Sequence, residues 1–182
     1  MNIIQMARPI LIIAASIPVI LAAMIAIPMI SNPQIPFSAA NADDKIAIEL
    51  IKYDLKKISL GVTDRLTPQK SETLSISDDG SLKYVFSTPN SEPIQKSMML
   101  EKSQITKLTA LVKETGFMQL PIDSIPADET KTEFTKFSLK VTLNGKTKHI
   151  QWPEQNATSE FIPPLVSNVE FELEKLINQT KN

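Results

Sequence analysis

The apolar and polar positions of this chain fall into two regimes that meet near Asp43. Residues 9–42 form a run of 34 without a charge, and within it Ile10–Ile30 (ILIIAASIPVILAAMIAIPMI) is almost purely apolar. Wound as a helix, that segment spans about 31 Å, the depth of a bilayer's hydrocarbon core. Past Asp43 the spacing shortens. In Ile46–Leu60 (IAIELIKYDLKKISL), Ile48, Ile51, Leu55 and Ile58 recur at helical spacing, whereas Ile46, Ile48 and Leu50 alternate as in a strand. The β-branched content tips the balance toward a strand. Thr73–Ser77 alternates, Asp79-Gly80 supplies a turn, and Leu82, Tyr84 and Phe86 carry the alternation back as a hairpin. Ile94–Leu100 adds a short strand.

A helix is expected from Gln104 to Thr115, with Ser103 as N-cap and Gly116 at the C′ position. Ile105, Leu108, Leu111 and Val112 form its core stripe. Phe117, Met118 and Leu120 follow as a buried exit, and Pro121 stops the run. Asn144-Gly145 is the preferred type I′ pair, so a second hairpin can be written residue by residue, from Leu143 opposite Lys146 to Phe137 opposite Trp152. Its register puts Phe137, Leu139, Val141, Leu143, Ile150 and Trp152 on one face. Ser138, Lys140, Thr142, Thr147, His149 and Gln151 fall on the other, and a slip of one residue would destroy that separation. Pro163-Pro164 introduces a closing helix with Leu165, Val166, Val169, Leu173, Leu176 and Ile177 along one side. Phe171 lies opposite that stripe. Hairpins followed by single amphipathic helices give an α+β architecture, an antiparallel sheet with two helices on one face.

The N-terminal segment admits two readings. Ala40-Asn41-Ala42 offers a small-x-small site for cleavage after Ala42, which would start the mature chain at Asp43. The apolar core, however, exceeds the roughly 7–15 residues of a signal peptide, and the cut would lie far beyond Ile30. Retention as a transmembrane anchor over residues 1–30 is therefore favoured, with Pro18 and Pro28 bending the helix. Arg8 sets a weak N-in bias that leaves the rest of the chain extracytoplasmic. Residues 31–42, with Pro33 and Pro36, read as a linker, and residues 43–182 as one α+β domain.

Charge and composition remove several function classes. All 20 acidic residues lie beyond Ala42, with every one of the 19 basic residues except Arg8, and no Lys/Arg cluster stands out. Nucleic acid is not an expected partner. With Cys 0 there is neither a disulfide nor a lipid-modified cysteine. His149 is the lone histidine; a Ser–His–Asp site would have to use it, yet the register sets it on the polar strand face beside Lys140. One histidine and no cysteine argue against zinc. Asp78-Asp79 and Asp128-Glu129 are the nearest approaches to acidic clusters, the first a turn pair and neither spaced as an EF-hand loop. The four glycines are scattered singly, with no phosphate loop. No catalytic residue, metal site or cofactor is assigned. Asn156-Ala157-Thr158 and Asn178-Gln179-Thr180 match the N-glycosylation acceptor pattern and would need an extracytoplasmic position and a glycosylating host. Phe171 is a candidate partner contact, the bland alternative being that a loop covers it.

The strings DDGSLKYVF (Asp78–Phe86), TGFMQLP (Thr115–Pro121), NGKTKHIQWPEQNAT (Asn144–Thr158) and FIPPL (Phe161–Leu165) together resemble a group of membrane-anchored or secreted proteins of ammonia-oxidising archaea, related to exported domains of unknown function. The likeness runs from about Thr73 to Ile177 and rests on turns and core positions. It implies a single extracytoplasmic domain and brings no catalytic residues with it. The expectation is a non-catalytic, membrane-anchored interaction domain, an accessory subunit of a membrane or cell-envelope complex. Two other readings stand beside it: a secreted peptide- or solute-binding module released after Ala42, and an envelope hydrolase working through carboxylates.

Overall fold

The computed structural model describes residues 39–59 and 61–181. The expected anchor over residues 1–30 and most of the linker lie outside the described residues. Among those described, no helix is long and apolar enough to cross a membrane. The compact unit beginning at Phe37 is α+β: a six-stranded antiparallel sheet with two helices. The elements in chain order are β1 (Ile46–Ser59), β2 (Asp64–Ile76), β3 (Ser81–Ser87), β4 (Ile94–Met99), α1 (Lys102–Glu114), β5 (Glu133–Leu143), β6 (Lys146–Pro153) and α2 (Pro164–Lys181). Across the sheet the order is β4-β3-β2-β1-β5-β6, so β1 is central, bonded to β2 on one side and β5 on the other.

The β-branched segment after Asp43 is thus a strand, and its twofold alternation explains why. Ile46, Ile48 and Leu50 are each 2 % exposed or less and point to one face. Cross-strand registry extends that face into layers. Leu82, Ile76, Ile48 and Val141 form one; Tyr84, Leu74, Leu50, Leu139 and Ile150 form the next. Both helices close over this face. In α1, Leu108, Leu111 and Val112 are buried; in α2, Val166, Val169, Leu173, Leu176 and Ile177 are. Glu172 of α2 receives Lys107 of α1 at 2.8 Å and Lys175 of its own helix at 2.7 Å, which ties the helices together.

The Asn144-Gly145 hairpin has the register its turn demands, with Leu143 opposite Lys146 and Phe137 opposite Trp152. Asn144 at φ 51° and Gly145 at φ 80° are the two left-handed positions of a type I′ turn. Two expectations need correction. The α1 N-cap is Glu101, not Ser103, because the Gln104 side chain accepts the Glu101 N–H at 2.9 Å and moves the helix start back by two residues. And β2 begins at Asp64, nine residues before Thr73. Its first half pairs with the far half of β1, so the two strands project as a long arm beyond β3. A bulge opposite Asp54/Leu55 leaves Gln69 unpaired beside Pro68, the place where a strand tolerates a residue without an N–H.

Candidate functional site

The third layer beneath the helices is ionic. It runs Phe86, Glu72, Lys52, Phe137 and Trp152 across the sheet, and Lys70 and Asp54 follow one step further. Glu72 is 5 % exposed and accepts from Tyr84 Oη at 2.8 Å, Lys70 Nζ at 2.8 Å and Lys181 Nζ at 2.6 Å. Burial pushes its carboxyl up, but those three donors outweigh burial and hold it at about 2. The Tyr84 phenol is raised by burial and by the Glu72 charge. Lys52 pairs with Glu174 of α2 and lies 5.6 Å from the centre of the Phe137 ring, which stacks on Trp152 at 5.4 Å. Next to this pair, Glu170 is driven up to about 7 by burial and by the negative Glu174, with Lys52 and the Trp152 indole opposing. These groups seal the helices to the sheet, and each carboxylate other than Glu170 has a cation against it.

The opposite sheet face is open, and there the arm creates a concavity. A hollow of about 570 Å³ lies between the arm and the segment Ser124–Lys131. Its floor is Phe134 and Lys136 of β5 with Gln151 and Pro153 of β6; Lys57, Asp64 and Leu66 of the arm form one wall. The other wall is held by the sheet edge: Ile125 N–H donates to Gln151 O at 2.8 Å, and Gln151 N–H to Asp123 O at 3.0 Å. Lys57 Nζ bridges the walls by donating to Glu129 O at 2.7 Å, with Asp64 3.7 Å away. The volume falls within the roughly 300–1,000 Å³ of small-ligand sites. Lys131 and Lys136 have no ion pair among the described residues. Asp128 is occupied by Thr130, whose hydroxyl and N–H hold its carboxyl below the usual range.

The residues singled out from the sequence do not converge. His149 is exposed on the open face, its Nε2 2.8 Å from Ser138 Oγ and 3.4 Å from Gln151 Nε2. Asp79 accepts the Ser81 N–H in its turn, and the two acidic pairs stay apart. No group of three or more potential metal ligands occurs among the described residues. Asn156 is exposed in the single turn Gln155–Ala157. Asn178 is exposed on α2, but the Thr180 hydroxyl of its acceptor pattern is buried and donates to Leu176 O at 2.7 Å. Ala42 is exposed in a turn where Asp44 is bound by Lys113 at 2.8 Å, by Asn144 Nδ2 at 2.8 Å and by the Asn41 N–H at 2.7 Å. Lys113, then Asn144 and Asn41, hold its carboxyl at about 2.

Phe171 is 59 % exposed, and what covers it is Lys175, whose Nζ sits 4.3 Å from the ring centre, rather than a loop. The hollow itself went unread in the sequence, since its members come from four separate stretches. Gly61, at φ 80°, marks the bend that joins the two strands of the arm and says nothing of the hollow. Comparison with family models gives no match, and comparison with curated proteins gives none either.

Proposed function

We propose that this chain is a membrane-tethered, non-catalytic interaction domain displayed on the extracytoplasmic side, serving a membrane or cell-envelope complex. The observation that carries the reading is the uncharged, bilayer-length segment Ile10–Ile30 ahead of a separate compact unit. The open sheet face and its hollow supply the surface for a partner, and the exposed Phe171 a second contact on α2. Fractionation tests the address: the intact chain stays with membranes through alkaline washing, and crosslinking before solubilisation recovers a stoichiometric partner. Full-length protein in the soluble cytosolic fraction, or solubilised chain that brings nothing with it, overturns the reading.

A second reading, a binding module released after Ala42, is favoured by one feature, the size of the hollow. Mass spectrometry of the mature protein separates the two, because release leaves Asp43 at the N-terminus. Hydrolysis by paired carboxylates has less support. The acid with a raised pKa, Glu170, belongs to α2 on the other side of the sheet from the hollow, and Asp128 within it is lowered.

A further inference from the structure

We propose that the hollow binds an apolar peptide segment through a carboxylate, with Lys136 as the anchoring cation. The proposal rests on the interaction role argued above and names the chemistry of the partner. Lys136 stands on the open face between its cross-strand neighbours Tyr53 and Pro153, among the apolar side chains of Phe134, Ile125 and Leu66. The acids of the hollow are already committed or peripheral. Asp64 takes Ser59 Oγ at 2.7 Å and faces Lys57; Asp128 closes the Thr130 turn; Glu129 is exposed at the rim. The donors left over are therefore Lys136 and Lys131, since Gln151 Nε2 already faces His149 Nε2 at 3.4 Å. A ligand that matches them brings an acceptor, best an anionic one, on an apolar body, and partial enclosure strengthens that pairing relative to open water.

The surroundings point to a peptide rather than a free acid. Gln151 leads out of the hollow into a line of polar side chains, His149 and Ser138, joined by hydrogen bonds along the open face. An extended chain leaving the hollow meets donors and acceptors there for its own N–H and C=O groups. A small acid confined to the hollow leaves them unused.

The test uses the full chain in detergent and fluorescence anisotropy with labelled octapeptide pools, capped at both ends. One pool carries a single Glu among Leu, Val, Phe and Ser, and its twin carries Gln at that position. The Glu pool binds at least tenfold more tightly than the Gln pool. Lys136→Met brings the Glu pool down to the Gln level, while Lys83→Met, exposed on the same sheet face but on β3, away from the hollow and the polar line, changes nothing. Equal binding of both pools, no binding of either to a chain that unfolds cooperatively, or indifference to Lys136→Met overturns the proposal. So does 4-methylpentanoate if it binds as tightly as the Glu pool, since the site is then one for a free acid. Partner recovery from membranes that survives Lys136→Met leaves the interaction role standing while this site falls.

Discussion

Replacing Glu170 with glutamine should stabilise the domain, and only above a particular pH. The carboxyl has an ordinary pKa of 4.5 and is raised to about 7 in the fold, foremost by burial and then by Glu174. Below pH 4.5 it is protonated in both states and contributes nothing to the balance. Between 4.5 and 7 the unfolded chain releases its proton first, so stability declines as pH rises; above 7 the full penalty persists. At about 1.4 kcal/mol per pH unit the interval corresponds to about 3 kcal/mol. The group keeps some contact with solvent, and screening reduces the expected effect to about 2 kcal/mol. Glutamine has nearly the same shape, carries no charge and can still accept from the Trp152 indole. Trp152, the single tryptophan, is 1 % exposed and reports unfolding directly. In urea, with a slope of about 2 kcal/mol per molar, the variant's midpoint moves up by about 1 M at pH 8 and stays put at pH 4. A variant no more stable than the parent at pH 8, or equally shifted at both pH values, refutes the electrostatic account of this site.

Other outcomes follow from the same contacts. Glu72→Gln strands Lys70, Lys181 and the Tyr84 hydroxyl around a neutral amide and costs about 2–3 kcal/mol at pH 7 by urea denaturation. In the parent, the stability that Glu72 provides is present above pH 4.5 and is lost as the pH falls toward 2, so the variant loses part of the acid sensitivity of an unfolding curve taken over that range. Gly80→Ala lowers stability by about the 1–2 kcal/mol of a left-handed alanine: at φ 86° the backbone strain is unavoidable, whereas the added Cβ, 2.7 Å from Ile105 Cδ1, needs only that flexible side-chain end to turn, so urea denaturation shows the loss while the amide spectrum of α1 stays in place. Leu173→Ala, at a fully buried position on the sheet-facing side of α2, costs about 3 kcal/mol and leaves the urea slope unchanged.

The parts of this fold that could be read in advance are those written by one or two residues. Asn144-Gly145 fixes a register of eight pairs because a type I′ turn allows no other arrangement of the flanking strands. Gly116, at φ 67°, marks the end of α1 just as directly. The arm was hidden because Asp64–Lys70 lacks clean alternation: Pro68 and the unpaired Gln69 shift the faces mid-strand, and Leu66 is the lone large aliphatic residue there. Glu101 was passed over as a cap because serine is the commoner choice and the decisive partner, Gln104, acts through its side chain. The hollow had no local signature at all. It exists because the segment Ser124–Lys131 is drawn against a face that the strand pattern alone would leave flat.

The turn at Asn41–Asp44 has a mechanical corollary. Asp44 grips α1 through Lys113 and the β5–β6 turn through Asn144, while Lys45 exchanges backbone and side-chain bonds with that same turn. Tension arriving from the N-terminal side is therefore met at the threshold of the domain and delivered into β1, a strand laced along both flanks. Such a mounting transmits load as a stiff bracket does, so the hollow far down the sheet keeps its shape when the chain ahead of Asn41 is pulled.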